Sequence, residues 1–281
     1  MKPAAEVHVD VDLVRALLER QHPDLASEPL VPAGEGWDNV IFRAGEAFAV
    51  RLPRRAAAVP LLLKEQRWLP VLAPALGIET PVAVAAGSPS AEFPWPWSVV
   101  PWIPGESAEA ASLGRDAART LADVLRRLHL PASADAPLNP VRGVPLRERR
   151  EVVEARLSDL GSPSLDRAWS QALRAPTAER HVWVHGDLHP RNVVVRGRRI
   201  VGLIDWGDLC GGDPATDLAA AWTLFEEPAR DAFFQRYRAA DDERVRALGW
   251  AAVFASSLLT SSEARHERIG AQIAVRVARE A

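Results

Sequence analysis

Residues 182–208, VWVHGDLHPRNVVVRGRRIVGLIDWGD, alternate short apolar, β-branched runs with polar loops, and no other stretch of the chain constrains its local fold so tightly. The run Val182 to Val184 delivers a polar loop carrying Asp187 and Asn192. A strand over Val193 to Val195, a basic turn over Arg196 to Arg199 and a second strand from Ile200 to Ile204 follow, the last ending on Asp205. Apolar runs of this length, bounded by Gly, Pro and charged residues, read as strands of a hairpin. Asp187, Asn192 and Asp205 then sit at strand ends or on the loop between, able to converge on one point.

Two carboxylates and an amide in this order suit Mg-dependent phosphoryl transfer. The attacking hydroxyl needs an acceptor for its proton, which Asp187 supplies, and the triphosphate needs Mg²⁺ to offset the charge on its oxygens. Mg²⁺ takes hard oxygen ligands in octahedral geometry and keeps several waters, so one or two carboxylates plus an amide oxygen suffice. Asn192 and Asp205 match that requirement. A second reading of the same residues is a transition-metal site built from His185, Asp187, His189 and Asp205, which would leave Asn192 without a role.

The segment H-G-D-L-H-P-R-N followed by I-D-W-G-D resembles the aminoglycoside phosphotransferase family, kinases of antibiotics and small metabolites. The two motifs are correctly ordered and about a dozen residues apart, a specific signal by the standards of short motifs. The resemblance implies a protein-kinase-like α+β fold, with a small antiparallel-sheet N-lobe over residues 1–101 and a hinge and larger, mainly helical C-lobe over residues 102–281. It implies Asp187 as catalytic base, His185 as the structural histidine of the loop, Asn192 and Asp205 as Mg²⁺ ligands, and Asp217 of GDPATDLA as an acid bracing the loop. The activity implied is transfer of the γ-phosphate of ATP or GTP to a hydroxyl of a small molecule, most directly an aminoglycoside, macrolide or peptide antibiotic. A nucleotide-binding pseudokinase and a kinase of a primary-metabolite alcohol are the alternatives.

Composition bounds the rest. A chain of 281 residues can bury a substantial core, and 48% hydrophobic with 25% charged residues is ordinary for a globular enzyme. A net charge of −3 gives no basic footprint for nucleic acid. No apolar run is long enough to span a bilayer, and MKPAAEVHVDVDL lacks the apolar core of a signal peptide, so a cytoplasmic location is expected. Cys210, the single cysteine, cannot form an internal disulfide and reads as a small buried thiol.

All but two of the 34 Lys and Arg residues are arginine, the exceptions being Lys2 and Lys64. In the kinase-like pattern a strand lysine contacts the α- and β-phosphates and pairs with a helix glutamate. Here the corresponding strand, Ala47 to Leu52, carries Arg51. Alternation sets Phe48, Val50 and Leu52 on one face and Arg51 on the other, towards the expected cleft, where a guanidinium can grip phosphate; a solvated surface arginine is the alternative. Glu65 is its expected partner, in a helix over Val59 to Leu72 whose stripe of Leu61, Leu62, Trp68, Leu69 and Leu72 leaves Lys64 and Glu65 off the main line. Gly34 and Gly36 of GEGWDN resemble the family's nucleotide-positioning loop, and a plain hairpin turn would use the same residues. A strand from Trp97 to Trp102 leads into the hinge. There the resemblance puts adenine recognition, with the Pro101 carbonyl and the Ile103 N–H as proposed partners and Trp102 able either to stack or to pack in the core.

Beyond Gly105 the pattern turns helical. Ala117, Leu121, Val124, Leu125 and Leu128 make one face, with Ser112 as N-cap, and residues 132–145 form a loop. A long helical region from Asp242 to Val277 carries breaks at Gly249 and Gly270. The acceptor site implied by the family lies between the catalytic loop and these C-terminal helices. Its candidate lining is Asp208, Glu226, Glu227 and Glu263, with Trp206 and Trp222 as walls. Cationic acceptors would favour such acids, although arginines in the same segment leave no uniform acidic wall.

Overall fold

The computed structural model describes residues 3–280. The chain divides into two compact units, one running to Pro74 with Glu79–Pro104, the other comprising Ala75–Ile78 and the chain from Gly105 onward.

The first unit is built on a five-stranded antiparallel sheet: β1 (Leu30–Glu35), β2 (Asn39–Ala44), β3 (Phe48–Pro53), β4 (Ala85–Gly87) and β5 (Trp97–Pro101), in the order β1-β2-β3-β5-β4. Period-two alternation decides its faces. Val50 and Leu52 of β3 join Phe42, Val99 and Trp97 in a core closed by Val14, Leu17 and Leu18 of α1 (Val11–Gln21), which precedes the short α2 (Pro23–Ala26). Arg51 lies on the opposite face, facing α3 (Val59–Leu76). This helix runs past the expected end at Leu72, through Pro70 and Pro74. Its buried line also differs from the expected stripe. Leu62, Glu65 and Leu69 are buried while Leu61 and Trp68 are only half-buried, so Glu65 sits on the inward line. The reason is electrostatic: Glu65 is ion-paired with Arg51, and burial of a carboxylate is tolerable when such a partner is buried with it.

The second unit is mainly helical. Two small sheets, β6 (Glu106–Ser107) with the hairpin β8 (Val193–Arg196) and β9 (Arg199–Leu203), and β7 (Val182–Val184) with β10 (Cys210–Gly212), carry the polar loops. The expected hairpin is therefore β8–β9, whereas β7 pairs across the sequence with β10. The helices are α4 (Arg115–Leu128), α5 (Arg150–Leu160), α6 (Pro163–Arg174), α7 (Ala215–Leu218), α8 (Ala220–Leu224), α9 (Glu227–Tyr237), α10 (Asp241–Leu259) and α11 (Ala264–Ala278). Helix α4 buries Ala117, Leu121, Val124, Leu125 and Leu128, largely against α9. Each fully buried leucine contributes about 1.5–3 kcal/mol. Its N-cap is Gly114, without a side-chain cap, so Ser112 does not serve there.

Helix α10 is the central element, packed by α5, α6, α7 and α11 and buried along most of its length. Neither Gly249 nor Gly270 breaks a helix; the chain turns between Leu259 and Ala264 instead. Both glycines are there for close approach. A Cβ on Gly249 would lie 2.3 Å from the Ala172 Cβ of α6, and one on Gly270 2.8 Å from the Leu259 backbone nitrogen. Gly249→Val is accordingly expected to destabilise the protein by about 1–3 kcal/mol through overpacking. Urea unfolding checks this, and an unchanged midpoint would remove close α6–α10 packing as the reason for the glycine.

Candidate active site

The candidate catalytic loop leaves β7 at His185 and is fixed by a carboxylate far along the chain. Asp217 of α7, fully buried, accepts the backbone N–H of His185 at 2.7 Å on Oδ2 and that of Gly186 at 2.8 Å on Oδ1. It also accepts His129 Nε2 at 3.2 Å, and His129 Nδ1 lies 2.7 Å from the Tyr237 hydroxyl. Gly186 adopts φ +89°, and a Cβ there would meet the Asp208 carbonyl oxygen at 2.7 Å, so only glycine allows the turn. The His185 ring is wholly buried and spans the loop. Its Nε2 donates to the Ile204 carbonyl at 3.1 Å, and its Nδ1 accepts the Asp187 N–H at 3.3 Å. Burial keeps this ring neutral, pushing its pKa down against the opposing pull of Asp217 and Asp187.

Asp187 is thereby presented at the start of the loop, and both its oxygens are engaged. Arg142 donates to Oδ1 at 2.8 Å, while Asn192 Nδ2 at 3.0 Å and His189 Nε2 at 3.2 Å reach Oδ2. The roles of His189 follow from its other nitrogen, which accepts the Arg191 N–H at 3.2 Å and leaves Nε2 as the donor. Burial pushes the Asp187 carboxyl up, but His189 and Arg142 outweigh it and hold the group well below the usual carboxylate range. With about four lone-pair sites on a carboxylate and three donors in place, one acceptor position remains on Oδ1.

Asn192 and Asp205 are brought together by the hairpin. Ile204 N–H donates to the Asn192 carbonyl at 3.0 Å, extending the β8–β9 ladder by one pair, and Asp205 follows immediately. The hydrogen bonds of the Asn192 side chain to Asp187 use Nδ2, at 2.8 Å to the carbonyl and 3.0 Å to Oδ2, and leave Oδ1 without one. Asp205 is exposed and held at φ +64°, a left-handed conformation rare for non-glycine residues and frequent at functional sites. An amide oxygen at Asn192 and a carboxylate at Asp205, both at the open end of the hairpin, are ligand types that Mg²⁺ takes along with water and phosphate. Among the described residues no group of three or more His, Cys, Asp and Glu side chains is placed to hold a metal, so the alternative transition-metal cluster is not formed.

In the first unit Arg51 and Glu65 form a buried ion pair, both less than one-tenth exposed. Gly34 lies at the irregularity of the β1–β2 register, and Gly36 N–H donates to the Asn39 carbonyl at 2.8 Å, closing the hairpin. Pro101 ends β5, and Ile103 follows Trp102, whose ring lies 5.2 Å from the Arg43 guanidinium.

The acceptor candidates are placed differently from their expected roles. Trp206 is fully buried, its ring 4.5 Å from His185 and its Nε1 donating to the Leu203 carbonyl, so it supports the loop and forms no open wall. Trp222 is likewise buried, against Phe234. Asp208 accepts Asn139 Nδ2 at 2.7 Å and lies 3.8 Å from Arg142. Glu226 is paired with Arg276 and Arg279, and Glu263 lies 3.9 Å from Arg191 and 3.8 Å from His266. Arg142 and Asn139 were invisible in the sequence. They sit in a segment read only as loop, and their partners are 45 and 69 residues away.

The model of the phosphotransferase enzyme family, APH, matches residues 29–253. The chain belongs to this family. Over 94–95% of its length it is similar in structure to members of that class. One is APH(2")-IIia in complex with GDP and kanamycin (TM-score 0.68, 19% identity, 97% of that chain). Another is the macrolide 2'-phosphotransferase MphH from Brachybacterium faecium (TM-score 0.62, 21% identity, 98% of that chain). The GDP complex of wild-type aminoglycoside 2'-phosphotransferase-IIIa matches with a TM-score of 0.68 at 17% identity over 97% of its chain. In sequence, 124 residues are 29% identical to the uncharacterized protein YcbJ of Bacillus subtilis (strain 168), a match spanning 40% of this chain and 39% of that protein. The small antiparallel sheet and the helical remainder of this phosphotransferase are those of a kinase-like fold. No described helix is long and apolar enough to cross a membrane.

The bracing role of Asp217 has a direct measure. Asp217→Ala leaves two buried amide N–H groups without acceptors and is expected to cost at least about 1–3 kcal/mol, read by urea unfolding. Asp217→Asn keeps one acceptor oxygen and should lose less. Equal stability of Asp217→Ala and wild type would show that the loop is held by other contacts.

Proposed function

We propose that this protein transfers the γ-phosphate of ATP or GTP to a hydroxyl of a small molecule, with Asp187 as the group that receives the hydroxyl proton. The observation that carries this reading is the Asp187 carboxylate, kept ionised by His189 and Arg142, with one acceptor position open on Oδ1 and Asn192 bonded to Oδ2. Family membership and the likeness to nucleotide-complexed structures support it.

In this reading the acceptor hydroxyl donates to Asp187 Oδ1, which aligns its oxygen on the γ-phosphorus. The new O–P bond forms as the bond from the γ-phosphorus to the bridging oxygen breaks, the nucleoside diphosphate leaves with that electron pair, and the hydroxyl proton passes to Asp187. A carboxylate of such low basicity is a weak general base, which suits a loose transition state where the proton moves late and alignment matters most. Asn192 Oδ1 and Asp205 would hold Mg²⁺, which supplies charge neutralisation to the phosphate oxygens. Arg51, fixed by Glu65, is the cation for the α- and β-phosphates, with Gly34 and Gly36 as the loop over them and Pro101 and Ile103 as the adenine contacts.

The acceptor is an antibiotic or a metabolite alcohol. The structural neighbours bound to kanamycin, streptomycin and gentamicin support the first. The second is favoured by the pairing of Asp208, Glu226 and Glu263 with arginines, which leaves the exposed Glu227 alone of the four candidate acids to meet a polycation.

Asp187→Asn is expected to lower turnover by roughly 10²–10⁴-fold while preserving nucleotide binding, measured by coupled nucleotide consumption over a panel of aminoglycosides, macrolides, peptide antibiotics and metabolite alcohols. Full activity of the variant rules out Asp187 as the base. For Asp205→Ala the expectation is loss of the Mg²⁺ dependence of nucleotide affinity in a thermal-shift titration; an unchanged dependence places the ion elsewhere.

A further inference from the structure

Residues 137–143, PLNPVRG, carry no sequence motif, yet this loop is fastened at both ends and in its middle. The Pro137 carbonyl accepts the Gly211 N–H at 3.0 Å, and the Gly143 carbonyl accepts that of Asp213 at 2.8 Å. The Gly143 N–H donates to the Thr216 hydroxyl at 3.1 Å, and the Cys210 thiol donates to the Arg142 carbonyl at 3.6 Å. Buried Asn139 holds the middle. Its Oδ1 accepts the N–H groups of Val141 and Arg142 at 2.9 and 3.1 Å. Its Nδ2 donates to the Asp208 carbonyl at 3.3 Å and to the Asp208 carboxylate at 2.7 Å. One side-chain amide thus ties the backbone of Arg142 to the turn that follows Asp205.

Arg142 is the side chain that this loop delivers to the site. Its guanidinium donates to Asp187 Oδ1 at 2.8 Å, and its Nε stands 3.8 Å from Asp208 Oδ2. Phe254 of α10 covers one face, with 4.9 Å from Cζ to the ring centroid. An edge directed at two carboxylates and a face against an aromatic ring give the guanidinium plane one orientation. Stability alone does not call for this arrangement, since packed apolar side chains commonly replace a buried ion pair without loss. Nor does it make a stronger base, because each donor to a carboxylate lowers its affinity for a proton.

Its effect is geometric. Asn192 and His189 occupy Oδ2 of Asp187, which leaves Oδ1 to meet an acceptor. A carboxylate oxygen has two lone-pair sites, and the terminal torsion of an aspartate is broad. With Arg142 in one of those sites, the direction of the other is set.

We propose that Arg142 is a positioning residue for phosphoryl transfer, aiming the free lone pair of Asp187 Oδ1 at the acceptor hydroxyl, and that Asn139 serves the same end by setting Arg142. This assignment rests on the phosphotransfer reading above. Displacement at phosphorus needs the attacking and leaving oxygens roughly in line, so lost direction falls on turnover and spares nucleotide binding.

The test is steady-state kinetics of the full chain, using the acceptor turned over fastest in a panel that begins with kanamycin, streptomycin and gentamicin and extends to macrolides, peptide antibiotics and metabolite alcohols. R142A and R142Q should each lower kcat by roughly tenfold or more, with KM for the nucleotide unchanged. R142K, which keeps the charge and loses the planar fork, should recover only part of the loss. N139A should also lower kcat, and N139A/R142A should be no slower than R142A, as for two residues acting as one unit. Ethylguanidinium ion should restore turnover to R142A and leave Asp187→Asn inactive. Urea midpoints above the assay condition establish that each variant is folded. Wild-type kcat in both R142A and R142Q, or a loss in N139A that adds in full to that of R142A, overturns the proposal while the phosphotransfer reading stands. Absence of turnover by wild type on every acceptor overturns both.

Discussion

The polar loop that follows β7 depends on one buried carboxylate. Asp217 replaces water with three donors, the amides of His185 and Gly186 and the His129 ring, and through His129 it reaches Tyr237. A buried carboxylate without partners is prohibitively costly, so the fold around it holds only while all three donors stay in place. The interaction ties the C-terminal end of α4, the short α7 and the end of α9 to the chain leaving β7. Burial and the nearby Glu243 raise the Tyr237 pKa, so its hydroxyl stays protonated and able to donate to His129. From that anchor His185 spans to Ile204, and the hairpin that carries Asn192 and Asp205 is set relative to Asp187.

Arginine supplies the cationic side of nearly every such arrangement. Arg246, deeply buried, joins Asp213 at 2.8 Å, Asp242 and the Pro176 carbonyl, fixing the start of α7 to α10. Arg51 plays the equivalent part with Glu65 in the first unit, and Arg142 does so with Asp187. A delocalised, weakly hydrated guanidinium is suited to such desolvated pairs in a way an ammonium is not, and it cannot lose its charge. The use of arginine at the strand position where the kinase-like pattern has lysine belongs to that habit.

What the sequence made legible was local. The order of apolar runs and polar loops from Val182 to Asp208 located β7, β8 and β9 and the residues between them, because strand periodicity and loop composition act within a few residues. Alternation likewise set Arg51 opposite the Val50 and Leu52 face. The missed features arise from contacts made at a distance. Glu65 lies on the buried line of α3 because of Arg51, which a hydrophobic stripe cannot register. Gly249 and Gly270 look like helix breaks until α6 and the end of α10 are known to pack against them. Arg142 sits in a Pro- and Ala-rich loop with no periodicity, and only the fold brings it to Asp187.

The central claim, that Asp187 and the Asn192–Asp205 pair serve phosphoryl transfer, is tested most directly by following the phosphorus itself. ³¹P NMR of the full chain with Mg²⁺, nucleoside triphosphate and an acceptor alcohol should show the γ-phosphate signal replaced by a phosphomonoester on the acceptor, with nucleoside diphosphate in equal amount. The signal should require both Mg²⁺ and Asp187. Release of inorganic phosphate alone, or an ester that forms equally fast in Asp187→Asn, would contradict the account.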